Sequence, residues 1–137
     1  MSLRFDILMN ERDAVQLNPL QLAYLGDSVW ELLIRYKLLN RKFNVHHMHK
    51  SCTGLVNAHS QAIILRSVED ELSETEKEIV RRGRNAHAKH PSPRNQDPDD
   101  YAAATGFEAL LGFLYLTGQD DRIKDLVKRM KEVETIA

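Results

Sequence analysis

Apolar positions gather into two long runs, and the amphipathic segments around them read as their wrapping. The first run opens at Asn18-Pro19, a good helix cap followed by a residue suited to the first helical position. From Leu20 to about residue 40 it carries Leu22, Ala23, Tyr24, Leu25, Val29, Trp30, Leu32, Leu33, Ile34, Tyr36, Leu38 and Leu39. This is apolar on nearly all sides and predicts a central, mostly buried helix. The second run, from about Asp99 to Thr117, holds Tyr101, Phe107, Leu110, Leu111, Phe113 and Leu114 and stops at Gly118. Within it Gly106, Ala109 and Gly112 form a ridge of small residues that lets another helix approach closely.

Three segments have one apolar and one polar face: Lys50 to about Asp70, Ser73 to about Arg84, and about Asp120 to Glu134. Ser73-Glu74-Thr75-Glu76 matches the capping box that starts a helix. Residues 2–9 predict a short helix, and Asn44 caps a short turn through His49. Residues 86–98 contain Pro91, Pro93 and Pro98 and predict a loop. No segment reads as a strand and none repeats. The expectation is an all-α helical bundle, a single domain over residues 1–137 with its core at about 17–134.

Composition adds limits. The chain has 137 residues, 42% hydrophobic and 28% charged, enough for a sizeable core in an ordinary soluble domain. The net charge of −1 advertises no nucleic-acid or membrane partner, so any electrostatic recognition must come from local clusters. The single cysteine, Cys52, excludes an internal disulfide and suits a reducing cytosol. No run reaches the length of a membrane span, and Arg4, Asp6, Glu11, Arg12 and Asp13 interrupt the start of the chain. A cytoplasmic protein with no membrane partner is expected.

Candidate chemistry starts with one acid in each apolar run, Asp27 and Glu108. If the two helices pack together the carboxylates meet and repel, and a divalent cation or a shared proton resolves the conflict. An incomplete set of oxygen ligands suits Mg²⁺, which keeps several waters. The structural alternative is that Asp27 or Glu31 pairs with Arg35 or Lys37 inside the bundle. The second feature is basic. Between Glu78 and Asp97 stand Arg81, Arg82, Arg84, Lys89 and Arg94 with no acid, and His87 and His90 add donors. Such a surface suits phosphate; the helix dipole alone accounts for Arg81 to Arg84 but less well for Lys89 to Arg94. The spacing of His46, His47 and His49 points them in different directions and makes no strong metal motif. Cys52 lacks a catalytic arrangement and reads as a small buried residue.

Leu22-Ala23-Tyr24-Leu25-Gly26-Asp27-Ser28-Val29 resembles the signature helix of the ribonuclease III family, written E-x-x-E-[FY]-L-G-D-[AS]-[VIL]. Thr105-Gly106-Phe107-Glu108-Ala109-Leu110-Leu111-Gly112 resembles that family's second acidic motif, D-x-[FV]-E-A-[LIV]-x-G. The Leu-Ala-Tyr start, the run Arg82-Gly83-Arg84-Asn85-Ala86 and Pro93-Arg94-Asn95 are similar to one branch, the bacterial Mini-III ribonucleases. The resemblance spans roughly residues 17 to 130. It implies an all-α endonuclease domain acting as a homodimer, with no separate RNA-binding domain. It implies Mg²⁺-dependent attack of water on double-stranded RNA, leaving 5′-phosphate and 3′-hydroxyl ends. By position, Asp27 and Glu108 are the catalytic acids and metal ligands, and Tyr24 is the aromatic that enters the partner subunit. Lys50, Arg82, Arg84, Asn85, Lys89 and Arg94 would grip RNA. The branch implies a role in maturing large-subunit (23S) precursor ribosomal RNA, with a ribosomal protein as a further partner that presents the substrate.

Two departures stand out. Where the family motifs have further acids, this chain has Ala23 and Thr105. The site is acid-poor and should hold Mg²⁺ weakly or with more waters. Glu31, Asp99 and Asp100 are the nearby acids available to compensate. The competing reading is a catalytically weak or inactive RNA-binding or ribosome-assembly module on the same fold; a plain helical interaction module is a third.

Overall fold

The computed structural model describes residues 8–39, 44–55, 57–86 and 97–128. They form seven α-helices: α1 (Glu11–Val15), α2 (Pro19–Leu38), α3 (Val45–Leu55), α4 (Ala58–Val68), α5 (Glu74–Asn85), α6 (Pro98–Leu116) and α7 (Asp120–Val127). A single 3-10 turn at Glu69–Glu71 follows α4, and the described residues contain no strand, as the all-α expectation required.

Local chemistry sets the helix starts. The Asn18 side chain accepts from the Leu20 N–H, with Pro19 at the first helical position of α2. Ser73 and Glu76 close the full capping box on α5. Asp97 with Pro98 repeats the α2 device at α6: its carboxylate accepts from Asp99 and Asp100 N–H. The second apolar helix therefore begins slightly before the expected Asp99.

Other boundaries differ from expectation. Asn44 caps as expected by accepting from the His47 N–H, but the segment it opens is a regular helix, α3, and the break falls later. Asn57 caps a new helix there by accepting from Ser60 N–H. Of the expected helix at 2–9, residues 2–7 lie outside the described residues, and Leu8 and Met9 are not helical. Asn10 instead caps α1. The expected 86–98 loop falls mostly on residues 87–96, and the tail of the last helix on 129–134, all outside the described residues.

The central helix is α6, not α2. Its residues from Ala103 to Leu114 are buried on almost every side, and α2, α4 and α5 pack around it. α2 buries only the stripe Leu22, Ala23, Gly26, Val29, Trp30, Ile34 and Leu38. Trp30 meets Phe107 edge-on, ring centroids 5.3 Å apart. The small-residue ridge of α6 works on two sides. A Cβ on Gly112 would lie 2.0 Å from the Leu22 carbonyl oxygen of α2, and one on Gly106 would lie 2.8 Å from the Val80 carbonyl of α5. Only hydrogen fits at those crossings. The half-buried guanidinium of Arg82 donates to the carbonyls of Val15 and Leu17, which ties α5 to the α1–α2 junction. Arg122 of α7 pairs with Glu76 at 2.9 Å and holds Glu76 below its ordinary carboxyl range against the opposing effect of burial.

Candidate functional site

One backbone crossing builds the site. Gly26 of α2 rests on α6 so tightly that a Cβ there would fall 1.7 Å from the Glu108 carbonyl oxygen. The next residue on α2 is Asp27, so the contact that seats Gly26 also carries Asp27 to the Glu108 side chain. The two carboxyl groups come within hydrogen-bonding reach of each other. They share a pocket of about 400 Å³ lined by Leu20, Ala23, Tyr24, Asp27, Ser28, Tyr101, Thr105 and Glu108.

The two acids sit in different surroundings. Asp27 is exposed, although the first apolar run predicts a mostly buried helix. The reason is that α2 turns only one stripe to the core, and Asp27 lies off that stripe. Glu108 is the partly buried member, and its pKa is pushed up to about 8. Burial is the main cause; the hydrogen bond and the charge of Asp27 add to it, and a hydrogen bond from Gln61 opposes it. In the absence of a cation, Glu108 therefore holds a proton at neutral pH.

Among the described residues Asp27 pairs with no base. Arg35 pairs instead with Glu31, at 2.7 Å, which takes that acid away from the site. Asp100 is also engaged elsewhere: it accepts from Arg66 at 3.0 Å and lies 2.8 Å from His59 Nδ1. Its pKa is lowered, first by the His59 bond and then by Arg66. Asp99 is exposed near the start of α6.

The remaining sequence candidates scatter. Tyr24 is 75% exposed and projects beside the pocket. Lys50 is exposed on α3. Arg82 has both of its bonded nitrogens committed to backbone carbonyls and is part of the fold. Arg84 pairs with Glu69 at 2.5 Å, and Asn85 is exposed one residue later. Lys89 and Arg94 lie outside the described residues. His46, His47 and His49 are exposed on α3, Cys52 is buried, and no cluster of three or more metal-ligating side chains exists among the described residues.

One site residue escaped the sequence reading. Gln61 of α4 is 2% exposed, and its amide nitrogen lies 3.4 Å from Glu108 Oε2. The available signal was a lone amide directly before the apolar run Ala62 to Leu65. The donor set at the crossing is thus two carboxylates with a hydroxyl from Thr105 on the pocket wall. That set fits a hard divalent cation that keeps most of its waters, and it lacks the sulfur and nitrogen ligands a softer metal would take.

Comparison with known proteins points the same way. The family model of the ribonuclease III domain matches residues 20–119. The chain is 44% identical over 121 residues to a Mini-ribonuclease 3 of Symbiobacterium thermophilum, covering 88% of this chain and 92% of that protein. It is 41% identical over 127 residues to the Mini-ribonuclease 3 of a Thermoanaerobacter species, covering 92% and 89%. A crystal structure of a Fusobacterium nucleatum protein superposes with a TM-score of 0.80 at 32% identity, covering 87% of this chain and 95% of that one.

Proposed function

The chain belongs to the ribonuclease III family, alongside the Mini-ribonuclease 3 proteins, and on that premise we propose that it is a Mg²⁺-dependent endoribonuclease that cuts double-stranded precursor ribosomal RNA as a homodimer. Endoribonuclease activity comes with the family, whose members act on double-stranded RNA and generally need a divalent metal. The observation that carries the reading is the Asp27–Glu108 pair. Two acids meet in one open pocket, and burial together with the neighbouring Asp27 raises the pKa of Glu108.

Asp27 and Glu108 would hold Mg²⁺. When bound, the ion supplies positive charge that polarises the scissile phosphate and makes water a better nucleophile. For that to happen Glu108 must release its proton, which the approach of positive charge favours. Thr105 and Tyr101 line the wall beside the pair. In the reaction a water oxygen bonds to phosphorus, the bond from phosphorus to the ribose 3′ oxygen breaks, and that oxygen leaves with a proton. The ends are a 5′-phosphate and a 3′-hydroxyl.

An active site on one copy cuts one strand, so cutting a duplex calls for two. The exposed face of α2 supports a dimer. Leu32, Tyr36 and Leu39 are 63%, 68% and 66% exposed, an apolar patch on the same helix as the exposed Tyr24. Beside Tyr24 lies a groove of about 600 Å³ lined by Asn18, Leu20, Gln21, Leu25 and Ser28, which suits an aromatic ring from a second copy. Lys50, Arg84 and Asn85, with Lys89 and Arg94 beyond the described segment, would grip backbone phosphates and read the duplex by shape. Arg82 is better assigned to the fold. No helix among the described residues is long and apolar enough to cross a membrane, in keeping with a cytoplasmic task in large-subunit rRNA maturation. A ribosomal protein presenting that RNA is the partner the proposal adds.

The test is end chemistry. A structured rRNA precursor incubated with the protein and Mg²⁺ should be cut on both strands, leaving 5′-phosphates. Cyclic 2′,3′-phosphate ends would mean attack by the ribose hydroxyl, and the reading would fall.

A further inference from the structure

Gln61 is the one nitrogen donor that reaches the Glu108 carboxyl among the described residues. It belongs to α4, whose start is fixed by the Asn57 cap and whose inward face is apolar, with Ala62, Ile64 and Leu65 fully buried. At 2% exposure its amide has left water almost completely, and Glu108 is its hydrogen-bond partner among the described residues. A buried amide without a partner costs about 1–3 kcal/mol by the mutational measure, so an inert filler at this position would be apolar. Its presence asks for a reason at Glu108.

We propose that Gln61 is a positioning residue that holds Glu108 toward Asp27 and thereby sets the metal affinity of this acid-poor site. The inference rests on the reading of Asp27 and Glu108 as the metal-holding acids. The chemistry of an amide suits the task better than its alternatives. A lysine or arginine at 61 would neutralise Glu108 and compete with a cation. A carboxylate would repel it. An amide N–H donates to either protonation state of the acid and leaves its full charge for the metal. Where a site has many acids, one loose ligand is covered by the rest. Here Ala23 and Thr105 stand where further acids could, so the orientation of Glu108 matters more. The contact is long, at 3.4 Å.

Gln61→Met keeps the volume of the side chain and removes the donor, and Gln61→Leu does the same with a stiffer side chain should the first fold poorly. Two readouts are needed: Mn²⁺ and Mg²⁺ titrations of RNA-free protein, followed by calorimetry and by the rise in Tm, and the Mg²⁺ dependence of duplex cleavage. The expected result is a metal dissociation constant about 10-fold to 100-fold weaker, as for other groups that orient a metal ligand. Cleavage should return toward the wild-type rate at saturating Mg²⁺, and the metal-free Tm should stay at or above wild type. A purely structural Gln61 predicts the reverse pattern, a lower metal-free Tm with unchanged metal affinity, and that overturns the proposal. If wild type binds the cations and both variants match it, only the role of Gln61 is lost. If wild type binds neither cation, the metal-holding role of Asp27 and Glu108 is refuted and the proposal falls with it.

Discussion

Glu108→Gln should make the metal-free protein more stable while destroying its activity. An acid whose pKa is above its unfolded value binds its proton more tightly when folded. Its contribution is therefore fully present below about 4.5 and is lost as pH rises through about 8. Each pH unit of that gap corresponds to about 1.4 kcal/mol, which sets a ceiling of about 5 kcal/mol at alkaline pH. Asp27 is exposed and the pocket open, so water screens much of this. We take about 1–3 kcal/mol as the gain from replacing the carboxyl with a neutral amide of the same shape at pH 8. For a chain of 137 residues that is a rise in Tm of roughly 3–9 °C. The assay is thermal unfolding of chelator-treated wild type and variant, from pH 5 to pH 9. The difference in Tm should be near zero at pH 5 and widen as pH rises. Adding Mg²⁺ should stabilise wild type and close the gap. A Tm difference that does not change across that range, or that favours wild type at pH 8, would refute the placement of Glu108 in a desolvated, like-charged pair.

Gly26→Ala would push a methyl into the Glu108 carbonyl, and a backbone atom there cannot step aside; a loss of about 3 kcal/mol or more is expected, seen as a large fall in Tm or as insoluble protein. Arg82→Met removes donors from the Val15 and Leu17 carbonyls, so it should lower stability by about 1–3 kcal/mol in denaturant titrations. The salt slope of RNA binding should stay that of wild type, whereas Arg84→Ala should flatten it. Tyr36→Glu on the exposed stripe of α2 should shift sedimentation toward the monomer and leave helical content unchanged; an unaltered dimer would place the interface elsewhere.

Much of this was legible because it is local. Ser73 and Glu76 announce α5 three residues apart, and Asn18-Pro19 announces α2. Asp97-Pro98 speaks the same language at α6, yet Asp99 and Asp100 beside it blur the start. The ridge of Gly106 and Gly112 was readable as a place of close approach, though not which helix would use which side. What stayed hidden is long-range or concerns surfaces. Leu32, Tyr36 and Leu39 are as apolar as core residues, and nothing in their identity says that α2 turns them outward in the single chain as it does Tyr24. Arginine at position 82 declares a charge but not that it reaches back to carbonyls 65 and 67 residues earlier. Gln61 meets Glu108 across 47 residues with no spacing rule to link them. The motif acids could be named in advance; the asymmetry between an exposed Asp27 and a desolvated Glu108 required the packing of α4 and α6.

The central claim is that Asp27 and Glu108 form one hydrolytic centre, and Asp27→Asn tests it most directly. Purified wild type and variant would be given the same duplex RNA with Mg²⁺, with circular dichroism and sedimentation run alongside. Wild type should cleave. The variant should keep its helical content and oligomeric state and still bind the duplex. Its cleavage should fall by about a hundredfold to a thousandfold, in line with the loss of an electrostatic catalytic group. A folded Asp27→Asn protein that cuts at a rate near wild type would contradict the account.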